Sequence, residues 1–234
     1  MKDKIQSLNW DSIAQNLNTK GYTTIPSLLS HEQCESLRAL YQKKTGYRKT
    51  VVMERHRFGL GEYKYFDYPL PPLIQALRTN VYKHLAPIAN LWMKALKTGL
   101  AYPETHTELL ELCKAKLQTK PTALILKYEE GGYNTLHQDL YGEVYFPIQM
   151  VIFLSEYGED YEGGEFVITE QVPRAQSKAI VLKPKLGDVV LFATNFRPIK
   201  GKNGYYRANM KHGVSELSKG HRMTAGIIFH DALS

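Results

Sequence analysis

His137 and Asp139 are separated by a single residue in the stretch LHQDLYG, residues 136–142. On a β-strand that spacing places both side chains on one face, with Gln138 on the other. An imidazole and a carboxylate side by side provide two legs of a metal site. His212, in KHG at 211–213, offers a third, and Arg222 follows ten residues later. Two histidines and one carboxylate on one triangular face, with the other positions open, suit non-haem Fe(II) and its oxygen chemistry. Arg222 supplies the fixed planar cation that such a site needs when its co-substrate is a dicarboxylic acid.

These residues need rigid elements to bring them together across the chain. After Pro121 the texture is one of short apolar runs between turn signals: TALILKY at 122–128, FPIQMVIFLS at 146–155, then EFVITEQ, AIVLKP, DVVLFAT, YYRANMKHGVSEL and HRMTAGIIFHD. About eight short strands of this kind predict an all-β sandwich or barrel. A jelly roll fits best, because its narrow sandwich brings His137 and His212 together from distant strands. Before Pro121 the spacing is helical. Residues 10–18 have apolar positions at Trp10, Ile13, Ala14 and Leu17. Ser30 with Gln33 reads as a helix-capping pair ahead of a stripe of Leu37, Leu40 and Tyr41. Pro72 suits the first turn of a further helix, which Pro87 is expected to break or kink. Leu91, Trp92, Ala95 and Leu96 are its expected buried positions, and a third helix is expected over roughly 105–117.

The expected fold class is therefore α+β with a predominantly β core. It is a double-stranded β-helix, or jelly roll, with N-terminal helices bracing the sheet. One domain is expected over 1–234: a helical or mixed part over 1–119 and the β core over 120–234. The chain has 234 residues, 43% hydrophobic, and a net charge of +7. That charge favours acidic partners, nucleic acid or a small dianion among them. Two cysteines in no CxxC pattern exclude a disulfide framework and a zinc ribbon. The N-terminus carries charges and no apolar run, so a cytoplasmic, membrane-free protein is expected.

Residues 47–68 interleave Arg48, Lys49, Arg55, His56, Arg57 and Lys64 with Phe58, Tyr63, Tyr65 and Phe66. Aromatics beside cations can stack bases and hold phosphates. The same stretch also reads as two solvated strands joined through Gly59 and Gly61, or as a lid over the site. Tyr141, Gln149 and Arg207 are candidates for the substrate pocket. His221 neighbours Arg222 and should point to the opposite face; His230 reads as packing.

With His137, Asp139, His212 and Arg222 in place, residues 120–232 resemble the Fe(II)/2-oxoglutarate-dependent dioxygenases. The resemblance implies the double-stranded β-helix and an iron triad of His137, Asp139 and His212. It implies that Arg222 holds the distal carboxylate of 2-oxoglutarate. Tyr128, nine residues before His137, matches a tyrosine that binds this co-substrate in prolyl 4-hydroxylases, and Thr224 assists from the face of Arg222. The implied reaction couples oxidative decarboxylation of 2-oxoglutarate, to succinate and CO2, with C–H hydroxylation by O2; ascorbate is the accessory reductant.

RHRFGLGEYKYFDYPLP, GGYNTLHQDLYG and GIIFHDA also resemble a family of small bacterial oxygenases connected with oxidation of methylated DNA. The departures are specific. AlkB-type enzymes carry a second arginine six residues after the first, where this chain has Ile228. Prolyl 4-hydroxylases usually have lysine at the Arg222 position and threonine where this chain has Phe166. A protein or peptide side chain stands slightly ahead as substrate, with alkylated DNA or RNA as the alternative. A zinc hydrolase is disfavoured by the lack of HExxH and the idle Arg222, and a metal-free jelly-roll binding module by the intact triad.

Overall fold

The computed structural model describes residues 1–234. Its N-terminal part holds α1 (Lys2–Gln6), α2 (Trp10–Lys20), β1 (Tyr22–Ile25), α3 (His31–Leu40), β2 (Tyr47–Val52), β3 (Gly59–Leu60), β4 (Glu62–Phe66), α4 (Pro72–Ala95) and α5 (His106–Ala115). Eleven strands follow, not eight. They are β5 (Leu124–Tyr128), β6 (Tyr133–His137), β7 (Ile148–Phe153), β8 (Tyr161–Gly163), β9 (Phe166–Gln171) and β10 (Lys178–Leu182). The last are β11 (Val189–Ala193), β12 (Phe196–Gly201), β13 (Gly204–Val214), β14 (Leu217–Gly220) and β15 (Arg222–Ile227). The extra ones are short strands such as β8 and β14, which pair only with each other.

Two antiparallel sheets form a jelly-roll sandwich. The larger has the order β1-β11-β7-β15-β5-β4-β2, and the smaller β10-β9-β13-β6-β3, with β12 on β13. Phe153 of the larger sheet meets Phe166 of the smaller at 5.9 Å, and Phe166 meets Phe192 at 5.1 Å. These edge-on contacts pack the two sheets against each other beside His212. Every residue of β7 and β11 is buried. The middle of the large sheet is thus covered twice, by the small sheet on one face and by helices on the other. Three of its seven strands come from before residue 119, so the N-terminal part builds the sheet as well as bracing it.

The helices form for local reasons. Ser30 accepts from the backbone of Gln33, whose side chain accepts from Ser30, closing the expected capping box on α3. Pro72 opens α4, where its missing N–H costs nothing. Pro87 does not end α4, which runs unbroken to Ala95. The buried stripe passes through Leu85, Ile88, Ala89, Trp92 and Met93. That register leaves Leu91 59% exposed, against expectation, while Trp92 and Tyr41 are in the core. No helix is long and apolar enough to cross a membrane.

A triad facing a caged arginine

β6 ends at His137, so Asp139 lies just beyond the strand rather than on its pleat. The carboxylate is placed by side chains instead. Tyr141 donates to Asp139 Oδ1 at 2.7 Å, and Gln149, from β7 across the sandwich, donates to Oδ2 at 3.0 Å. Gln138 points away as expected, donating to the carbonyls of Asn195 and Met210. His212 of β13 is the direct register partner of His137. The ligand atoms of His137, Asp139 and His212 all lie within 4.8 Å of one another.

The tautomer of His137 is set by its own strand. Nδ1 lies 2.7 Å from the carbonyl of Thr135 and donates to it, leaving the Nε2 lone pair toward Asp139. Burial raises the pKa of Asp139. The hydrogen bond from His212, the charge of both histidines and the Tyr141 hydroxyl outweigh burial and hold the carboxyl below its usual range. Burial, then the neighbouring His137, lowers the pKa of His212. A divalent metal requires its carboxylate ligand ionised and its imidazole ligands unprotonated, and the directions of the shifts at Asp139 and His212 both favour that.

A β-bulge shapes this wall. Val214 pairs with Asn134 but His212 pairs with His137, so β6 carries one extra residue. Asn134 and His137, three residues apart, consequently both line the pocket. Gly213 is needed at the crossing: a Cβ there would lie 2.6 Å from the Asn134 carbonyl oxygen.

The opposite wall holds Arg222, only 1% exposed. Its guanidinium sits 5.3 Å from the ring of Phe153, 5.7 Å from Tyr128 and 5.9 Å from Tyr161. Nε, Nη1 and Nη2 all lack a protein partner. A buried cation with no hydrogen-bonded counter-ion costs several kcal/mol. A planar donor fork in an aromatic cage is complementary to a carboxylate. Tyr128 faces Arg222 in direct register on β5, and Thr224 is buried two residues further along β15. Burial pushes the Tyr128 phenol up to about 12, so it remains a donor; its hydroxyl accepts from Asn134 at 3.2 Å.

One pocket of about 230 Å³ contains all six expected site residues: Tyr128, His137, Asp139, His212, Arg222 and Thr224. Tyr141 and Gln149 line it as expected. Arg207 does not; its side chain lies on the outer face, over Phe196 at 4.6 Å. His221 is exposed, and His230 is fully buried with Nδ1 accepting from the Phe146 amide. Asn134 was missed. Its cue was a short polar residue three before His137, which joins the pocket only through a bulge that no pattern announces.

The 47–68 stretch divides. β2 and β4 pair and extend the large sheet, with Tyr63 and Tyr65 lining the pocket. Arg48 donates to the Pro121 carbonyl and covers Tyr65, and Lys64 covers Tyr41, so both are structural. Arg55, His56 and Arg57 are exposed beside Phe58, which lines the pocket and is itself 45% exposed.

The fold is that of the prolyl-hydroxylase-like 2-oxoglutarate/Fe(II) oxygenases. A prolyl 4-hydroxylase of Pseudomonas putida superposes with a TM-score of 0.56 at 12% identity, covering 95% of this chain and all of that one. A prolyl hydroxylase of Trichoplax adhaerens, solved with a peptide fragment of hypoxia-inducible factor, gives 0.54 at 15% identity, covering 98% and 91%. In sequence, residues 61–232 match the family described as "Oxygenase, catalysing oxidative methylation of damaged DNA", and the chain belongs to that family of oxidoreductases. An uncharacterized protein of Mycobacterium tuberculosis is 42% identical over 167 residues, spanning 71% of this chain and 72% of the relative.

Proposed function

We propose that this oxygenase depends on Fe(II) and 2-oxoglutarate and hydroxylates a C–H bond of an alkylated nucleobase. The observation that carries the cofactor reading is Arg222: a buried, caged guanidinium without a partner, in the same pocket as two histidines and an ionised carboxylate. His137, Asp139 and His212 would hold the metal. When bound, iron with O2 and 2-oxoglutarate supplies the oxidant that inserts one oxygen atom into a C–H bond, as 2-oxoglutarate becomes succinate and CO2.

The chain's own residues do the rest. Arg222 selects and orients the distal carboxylate, and Tyr128 donates a hydrogen bond beside it. Tyr141 and Gln149 hold Asp139 in position. Tyr63, Tyr65, Leu124 and Ile228 line the pocket and exclude water, which protects a reactive centre from side reactions.

Two facts support a nucleobase. The matched family is described by its action on damaged DNA. Exposed Arg55, His56 and Arg57 flank Phe58 at the pocket rim, where cations meet phosphates and a ring can stack a base. The peptide reading rests on likeness to prolyl hydroxylases at 12–16% identity, which speaks to the fold. Purified protein with Fe(II) and 2-oxoglutarate should form succinate faster with methylated single-stranded DNA or RNA than with proline-rich peptides. Stimulation by peptide alone would reverse the substrate assignment.

A further inference from the structure

His212 lies near the end of β13, and most of the strand extends beyond the site. Tyr205, Arg207, Asn209 and Lys211 alternate with the residues of the inner face and are all exposed. At about 3.4 Å per residue they form a row roughly 20 Å long, ending one residue short of His212. Lys200 of β12 is the register partner of Tyr205, and Lys202 lies at the hairpin turn. The guanidinium of Arg207 rests on Phe196, which fixes it on this face.

The surroundings of the row are neutral. Asn209 and Lys211 pair with Gln171 and Thr169 on β9. Glu170, between them in sequence, points to the other face and is bound by Arg197 at 2.6 Å. Lys200, Lys202, Arg207 and Lys211 make no ion pair. An ordinary solvated face would mix both signs. Four unpaired cations with an exposed tyrosine ring among them match a flexible polyanion that also presents aromatic faces.

We propose that the outer face of the β12–β13 ribbon, which alternation places on the side of the small sheet away from His212, binds single-stranded nucleic acid and anchors it to the protein. This rests on the nucleobase reading above. A single strand is favoured over a duplex because Tyr205 offers a stacking platform and a target base must leave its stack to enter a buried site.

The test is fluorescence anisotropy with a fluorescein-labelled 12-residue oligothymidylate, on the full chain. The double variant Lys200→Glu/Arg207→Glu should weaken binding at least tenfold. Arg207→Ala should lower the magnitude of the slope of log K against log[salt] by about 0.7, one phosphate contact on a single strand. Tyr205→Ala should weaken binding with the slope unchanged. Substrate-free 2-oxoglutarate turnover should be the same in all variants. Equal binding by wild type and double variant, or preferential capture of polyglutamate, would overturn the proposal. Ribbon-dependent binding by a protein that turns over no 2-oxoglutarate would uphold the ribbon and sink the catalytic reading.

Discussion

Tyr128 and Arg222 are direct register partners on neighbouring strands, and the guanidinium lies 5.7 Å from the tyrosine ring with all three nitrogens unpaired. The sheet thus holds a donor fork and a phenol side by side at the closed end of the pocket. Arg222→Ala should raise the 2-oxoglutarate KM at least about thirtyfold, the lower end of the roughly 2–5 kcal/mol for losing one partner of a buried charged pair. Metal affinity should be unchanged. In wild type 2-oxoglutarate should raise Tm, and in the variant it should not; an equal rise in both contradicts the role.

Tyr141 donates to Asp139 Oδ1 at 2.7 Å, and Tyr65 in turn donates to the Tyr141 hydroxyl at 3.0 Å. Groups that orient a metal ligand typically contribute 10–100-fold in affinity. Tyr141→Phe should weaken metal binding by about that factor, read by Mn(II) or Co(II) titration of the apoprotein. Tyr65→Phe, one bond further away, should have a smaller effect. Equal affinity for wild type and Tyr141→Phe would remove Tyr141 from the site.

Gly213 faces the bulge of β6, where a Cβ would approach the Asn134 carbonyl oxygen to 2.6 Å. Gly213→Ala should therefore destabilise by about 1–3 kcal/mol, the usual range for overpacking against backbone. A denaturant midpoint unchanged from wild type would show that the bulge relaxes freely.

His106 gives the fold a defined acid sensitivity. Burial, with the nearby Arg78 cation, lowers its pKa to about 3, while Nε2 bonds the Phe229 carbonyl at 2.8 Å. The unfolded chain binds this proton first, near pH 6.5, so stability falls as pH drops below that value toward about 3. Between pH 7 and pH 5 the loss from this one group is about 2 kcal/mol. His106→Gln, which keeps an amide donor, should flatten the profile over that window; an identical slope would assign the sensitivity elsewhere.

The fold was legible where periodicity and chemistry agreed. Ser30 and Gln33 announced their capping box, and the apolar runs after Pro121 announced the strands. His137, Asp139, His212 and Arg222 were readable because few other functions require that set. Leu91 was misjudged because a helix of 24 residues drifts in phase, and its buried stripe passes one position away. The proline at 87 gave no break: Ala86 and Ile88 on either side of it are buried, and α4 continues to Ala95. Arg207 was misplaced although His212, read as a ligand, already marked the inner face of β13: alternation over the five steps from one to the other puts Arg207 on the outer face. Asn134 depends on a bulge, a property of two strands and not of one.

The most direct measurement is succinate formed from 2-oxoglutarate by protein reconstituted anaerobically with Fe(II) and then exposed to O2. Wild type should turn over slowly without substrate, and His137→Ala and Arg222→Ala should each abolish it at modest 2-oxoglutarate. High 2-oxoglutarate should rescue Arg222→Ala alone. Turnover undiminished in His137→Ala, or absent in iron-loaded wild type under every substrate, would contradict the assignment of this pocket.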